Sequence, residues 1–261
     1  MPAPQEPDHR GRLAIVVAGT TIPERPGRPC HRRPPWEHRR VALFSFEGVT
    51  VQGEDRPRLD AIDLELPEGG VTAIVGPSGS GKSTLLRCAN RLQAPDDGIV
   101  RYRGRDLAQI DVLAHRREVG MVFQRPVAFP GTVAENLRVA DPDLDDAAAG
   151  ALLERVALDA ALLGRQASEL SGGEAQRMGL ARSLATSPRV VLADEPTASL
   201  DEDAAHQLEQ LLRRLADDGV DVLLVSHSPE QVQRLADRVV ALREGRLEHG
   251  PQPVAAAEAR P

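Results

Sequence analysis

Gly76-Pro77-Ser78-Gly79-Ser80-Gly81-Lys82-Ser83-Thr84 decides the reading of this chain. It has the spacing G-x-x-x-x-G-K-S of a phosphate-binding loop. The flanks agree with that spacing. Val71-Thr72-Ala73-Ile74-Val75 is a β-branched apolar run, the pattern of a strand buried on both faces. Leu85-Leu86-Arg87-Cys88-Ala89-Asn90 continues as a helix. Glycines let backbone N–H groups turn inward and approach phosphate oxygens closely. The helix adds its unpaired N-terminal N–H groups and the positive end of its dipole. Lys82 is a compact charge on a flexible stem, suited to β and γ phosphates, and the Ser83 hydroxyl suits Mg²⁺. Lys82 is the one lysine among 32 basic residues; the others are arginines. The point charge is kept where a planar fork would behave differently.

A second chemical stretch lies downstream. Val190-Val191-Leu192-Ala193-Asp194-Glu195 is an apolar strand that delivers two carboxylates at its carboxyl end, where ligands of α/β sheets bind. Asp194 is placed to hold Mg²⁺ opposite Ser83. Glu195 is placed to polarise an attacking water as general base.

Composition bounds the rest. The length of 261 residues allows one large or two small domains. With 2% aromatic residues, the core must be built from Leu, Val, Ala and Ile. Cys30 and Cys88 form no framework, which fits a reducing cytoplasm. No run approaches the roughly 18 apolar residues of a membrane helix, so any membrane link is expected through a partner. The net charge of −7 argues against general nucleic-acid binding. Sparse aromatics and arginine in place of lysine suggest a GC-rich bacterial genome.

Residues 1–40 are rich in Pro and Arg, carry a positive balance and show no periodicity, so they read as disordered. A basic functional arm and an upstream start codon are the other readings of that composition. From Ala42 to Val51 the pattern is β, and Ile62, Leu64 and Leu66 alternate with Asp63 and Glu65. This predicts an antiparallel layer beside the phosphate loop. Ile99–Tyr102 and Val119–Phe123 read as strands. The stretch 132–167 reads as several short helices, 173–185 as a helix, and 202–216 as an amphipathic helix. Val222–Val225 is another buried strand, 229–236 a helix, and 238–248 a closing hairpin. The tail 251–261 reads as frayed. Alternating strands and helices imply a mostly parallel three-layer α/β fold.

Leu170-Ser171-Gly172-Gly173-Glu174-Ala175-Gln176-Arg177 brings a hydroxyl and two glycines to a helix N-terminus, a second phosphate site. A serine N-cap followed by glycine is common by itself. Between a phosphate loop and an Asp-Glu strand, however, the stretch resembles the signature motif of ATP-binding cassette (ABC) ATPases. The resemblance covers about residues 44–250. It implies a three-layer P-loop NTPase core with an antiparallel β subdomain and an α-helical subdomain over about 132–185, the whole cassette spanning 41–250. By the same resemblance Gln124 matches the Q-loop, which senses Mg²⁺ or water and couples to membrane partners. Asp201 matches the D-loop, although Ala198-Ser199-Leu200 stands where the family has Ser-Ala-Leu. His227 matches the switch histidine that contacts the γ-phosphate.

The family usually carries an adenine-stacking aromatic before the loop, and Val51 to Arg58 contains none; its position falls near Gln52 or Gly53. Looser nucleotide discrimination is the expectation. One cassette cannot complete its own site in this family, so a second copy or a similar subunit is implied. The cofactors implied are ATP and Mg²⁺. Permease subunits, met by the Gln124 loop at the cytoplasmic face of the membrane, are the implied partners. The segment from Gly76 to Leu170 lacks the coiled-coil insertion of DNA-repair relatives. The single cassette differs from ribosome-associated members, which carry two. Arg87–Leu92 and Val119–Pro126 resemble phosphate importers. Phe129–Asn136 looks more like cassettes paired with metal or metabolite exporters.

Overall fold

A computed structural model describes residues 15–17, 20–22 and 42–254. Within residues 1–40 it describes two paired three-residue strands, β1 (Ile15–Val17) and β2 (Thr20–Ile22). The expectation of disorder there otherwise lies outside the described residues, as do residues 255–261.

Two sheets carry the fold. The antiparallel one has the order β4-β3-β6-β7 and is built from β3 (Phe44–Val51), β4 (Leu59–Leu66), β6 (Asp97–Tyr102) and β7 (Arg105–Asp106). The other has the order β12-β11-β5-β10-β9-β8. Its strands are β5 (Val71–Val75), β8 (Val119–Val122), β9 (Val190–Asp194), β10 (Asp221–Val225), β11 (Arg238–Arg243) and β12 (Arg246–Pro253). All pairs in it are parallel except β11 with β12.

Strand alternation sorts the core into two halves. Successive side chains of a strand point to opposite faces. Val71, Ala73, Val75, Val191 and Ala193 therefore join one cluster, with Met178, Leu180, Leu208 and Leu212 from the helical side. Ile74, Val190, Leu192 and Val240 join the other, with Leu85, Leu86 and the inner face of the antiparallel sheet. The central strands are buried on both faces, which is why they read as continuous apolar runs.

The helices are α1 (Lys82–Ala89), α2 (Val112–Glu118), α3 (Val133–Arg138), α4 (Asp146–Arg155), α5 (Gly172–Leu184), α6 (Glu202–Asp217) and α7 (Pro229–Leu235). Caps set most of their starts. Thr132 with Glu135 and Ser171 with Glu174 form capping boxes, each satisfying two otherwise orphaned N–H groups. Asp145 and Asp201 cap α4 and α6 by accepting from the third N–H along. The helices α3, α4 and α5 pack on one another and form the helical part between the phosphate loop and β9.

The structure departs from expectation at the tail. The strand pairing does not stop before Pro251: Arg238 is opposite Pro253, and Val239 is opposite Gln252. Val254 is fully buried, its N–H donating to the Asp237 carbonyl. Prolines 251 and 253 are tolerated because β12 is an edge strand, where a missing N–H costs little. The helix α2 was also not anticipated. It is short, and its only buried residue is His115, so it shows no apolar period.

Candidate functional site

The turn after β5 builds a tight glycine-rich cradle at the start of α1. Gly76 has φ +146° and lies so close to β11 that a Cβ there would stand 2.0 Å from the Leu242 carbonyl oxygen. Gly81, at φ +101°, is the N-cap of α1, and a Cβ there would stand 2.4 Å from the Arg58 carbonyl. Both positions combine left-handed backbone with a close approach, so only glycine fits. Gly76→Ala should lower the unfolding free energy by about 2–4 kcal/mol through strain and overlap together. A urea titration measures that loss, and an unchanged midpoint would contradict it.

Lys82 is 4% exposed, and its Nζ donates to the Gly76 carbonyl at 3.0 Å and the Pro77 carbonyl at 2.9 Å. Burial pulls its pKa below the ordinary lysine value, while the Glu195 and Asp194 carboxylates work in the opposite direction. Ser83 Oγ donates to Asp194 Oδ1 at 2.7 Å, so the loop and the end of β9 meet directly. Buried Ser80 has a hydroxyl without a hydrogen-bond partner among the described residues. An orphaned buried hydroxyl inside a glycine cradle fits an anionic ligand such as a phosphate.

Glu195 follows β9 with φ +47°, a left-handed conformation uncommon for a non-glycine residue. The turn re-aims its carboxylate away from the strand. Glu195 Oε1 lies 2.5 Å from His227 Nε2, and Oε2 accepts from Gln124 Nε2 at 3.5 Å, the outer limit of a hydrogen bond. His227 arrives from the end of β10 and Gln124 from the end of β8. Three neighbouring strand ends thus converge on one carboxylate. Such a group can accept a proton while the imidazole holds its orientation. An open cleft of about 190 Å³ is lined by Ser78 to Thr84 together with Arg58, Glu195 and His227.

Ser83 and Asp194 are suited to a hard divalent cation by their oxygen donors. Among the described residues no group of three His, Cys, Asp or Glu gathers as a metal site. Protein atoms alone do not cage a cation here, and bound phosphate oxygens would complete its shell.

The remaining sequence-derived site residues lie apart. None of Ser171, Gly172, Gly173 and Asp201 lines the cleft. Ser171 Oγ accepts from the Glu174 N–H as the α5 cap. Asp201 caps α6, accepting from the Ala204 N–H at 2.8 Å. Gly172 faces open space, with nothing within 4 Å of where its Cβ would be.

Sequence reasoning missed the groups that brace these segments. Glu209 is 4% exposed, and its carboxylate accepts from Arg234 Nε and Nη2, each at 2.9 Å. Gln231 Nε2 donates to Glu209 Oε1 at 3.1 Å and to Thr197 Oγ1 at 2.9 Å. This ties the turn after Glu195 to α7, next to His227. The available signal was an acid adjoining the leucine face of α6. Gln176, 1% exposed, donates to the Phe123 carbonyl at 2.8 Å and links α5 to the residue before Gln124.

A family model described as "ABC transporter" matches residues 59–198, more than half of the chain. The chain belongs to the ABC transporter family. Protein STAR1 of Oryza sativa subsp. japonica is 47% identical over 207 residues, covering 77% of this chain and 60% of that protein. The Fe(3+) ions import ATP-binding protein FbpC of Streptomyces coelicolor is 42% identical over 82% of this chain and 63% of its own length. The phosphate import ATP-binding protein PstB 3 of Natronomonas pharaonis is 38% identical, covering 76% of each. The cassette thus spans about three fifths of the first two relatives. Among solved structures, the dimeric post-hydrolysis state of the ATP-binding cassette MJ0796, bound to ADP and Pi, superposes with TM-score 0.72 at 28% identity. It covers 82% of this chain and 100% of that one. The three-layer core with its antiparallel and helical parts is therefore the ABC ATPase fold. Among the described residues no helix is long and apolar enough to cross a membrane.

Proposed function

We propose that this chain hydrolyses ATP as the motor subunit of a membrane transporter, acting as a pair of cassettes at the cytoplasmic face of the membrane. One observation carries this reading. The cleft is lined by Ser78 to Thr84, Glu195 and His227, with Asp194 bonded to Ser83 and Gln124 to Glu195 behind them, while Ser171 to Gly173 stand outside it at the N-terminus of α5. A phosphate loop and a second, separate anion-accepting helix end in one chain suit two copies facing each other.

In this reading Lys82 and the 76–84 backbone hold the phosphates. Ser83, Gln124 and, through water, Asp194 would hold Mg²⁺, which when bound neutralises phosphate charge. Glu195 takes the proton of the attacking water, and His227 keeps the carboxylate aimed. Ser171, Gly172 and Gly173 of the second copy offer hydroxyl and N–H donors, and Asp201 sets the turn beside them.

The permease contact belongs to the segment after Gln124. Asn136 pins it, its side chain bonding the Phe129 N–H at 2.8 Å and carbonyl at 3.0 Å, while Arg182 stacks 4.7 Å from the Phe129 ring centre. Val127 and Phe129 stay exposed at its surface, apolar groups available to a partner.

Phosphate import is the substrate reading, supported by Arg87–Leu92, Val119–Pro126 and the phosphate-import relative. Phe129–Asn136 supports the second reading, a metal or metabolite exporter. The test is ATP-driven transport in proteoliposomes holding the chain with a candidate permease subunit. Uptake of labelled phosphate supports import, and extrusion of a metal ion without phosphate movement supports the second reading. Transport that proceeds without ATP contradicts both.

A further inference from the structure

Arg58 immediately precedes β4 and is the one residue of the cleft wall that belongs to none of the phosphate-site motifs. Its place is fixed by backbone. The Arg58 N–H donates to the Val51 carbonyl at 2.7 Å, closing the turn between β3 and β4. The Arg58 carbonyl lies against Gly81 at the start of α1 and against Gly245 between β11 and β12. Its side chain is exposed, and among the described residues its guanidinium has no hydrogen-bond or ion-pair partner.

The neighbouring wall offers no flat side chain. A Cβ at Gly53 would stand 2.3 Å from the Arg56 carbonyl and 3.3 Å from Arg58 Cγ. That position cannot carry a side chain, and the stem of Arg58 occupies the space over it. No Phe, Tyr or Trp lines the cleft, and its other planar group, His227, is engaged by Glu195. The phosphates have their own donors in the loop and in Lys82. What a nucleotide still needs from this wall is a face for its base.

We infer that Arg58 is a base-binding, specificity-setting residue, its guanidinium plane stacking on the purine of a nucleoside triphosphate. The inference rests on the reading that the cleft binds ATP. A guanidinium is planar and weakly hydrated, so it stacks well on aromatic faces. It meets the π-face that all bases share and reads no edge, so adenine and guanine should be held about equally.

Isothermal titration of ATP, GTP and inorganic tripolyphosphate separates the possibilities. The wild-type chain should bind ATP and GTP within about threefold of each other, since a stack alone is tolerant of base identity. Arg58→Ala should weaken both nucleotides about 5- to 100-fold, the range of one lost stacking contact, and leave tripolyphosphate unchanged. Arg58→Lys keeps the charge without the plane and should not restore binding, whereas Arg58→Trp should. Loss of tripolyphosphate affinity in Arg58→Ala, recovered by Arg58→Lys, would mean that Arg58 serves the phosphates and would overturn the inference. Unchanged affinity for all three ligands would overturn it equally. A wild-type chain that binds neither ATP nor tripolyphosphate would instead overturn the nucleotide reading beneath it. Arg58 is exposed, so matched urea midpoints confirm that each variant is folded.

Discussion

Glu195→Gln is expected to lower ATP turnover by about 10²- to 10⁴-fold, the contribution of a positioned general base, while ATP binding survives. The substitution is nearly isosteric and leaves the left-handed backbone at Glu195 as it is. The amide can still hydrogen-bond to His227 and Gln124, which now face it at 2.5 Å and 3.5 Å. It cannot accept the proton of an attacking water. The groups proposed to hold phosphate, Lys82 and the loop, are untouched by the substitution. A chain that binds ATP without consuming it should then accumulate in the paired state. Size-exclusion chromatography with and without ATP, beside a single-turnover assay, reads both consequences. Turnover near the wild-type rate would remove Glu195 from the role of base. A stalled variant that stays monomeric with ATP would remove the pairing.

The frame of this site was legible because each part is local. A β-branched run, a glycine turn and a helix start within twenty residues specify the cradle without reference to the rest of the chain. The same holds for the Val190–Glu195 strand and for the Ser171 capping box. What was not legible is what depends on contacts far apart in sequence. Gly53 and Arg58 look like an ordinary polar turn, and only the folded chain shows that the turn lies beside the Gly81 end of α1. Glu209, Gln231 and Thr197 brace one another from three different segments. The tail was misread for the same reason. Ala and Pro after Pro251 carry no strand signal, yet β11 supplies the partner edge and Asp237 the acceptor for Val254. The short α2 follows from its Asp111 cap, with no apolar stripe to announce it.

The second large effect tests whether one site is shared by two chains. Gly172→Glu should abolish hydrolysis without harming the fold. Gly172 has nothing within 4 Å of a built Cβ, and its backbone is not in the left-handed region. It is also the first residue of α5, where an acidic side chain is favoured by the helix dipole. Within a single chain the substitution is therefore neutral or slightly stabilising. Facing the phosphates of a second chain, it places like charge where N–H donors are needed. Lys82→Arg should also abolish hydrolysis, because the buried Nζ bridges two loop carbonyls about 3 Å away and a planar fork cannot fill that position. Each variant alone is thus inactive for a different reason. Mixed, they form some dimers in which the intact loop of the Gly172→Glu chain meets the intact Ser171–Gly173 end of the Lys82→Arg chain. Those dimers hold one complete site, so the mixture should regain part of the wild-type rate. A steady-state phosphate-release assay on the two proteins, separate and combined, decides the matter. Recovery requires that the two motifs act across chains. A mixture as inactive as its components, with heterodimers shown to form, would mean that this chain does not complete its site in trans.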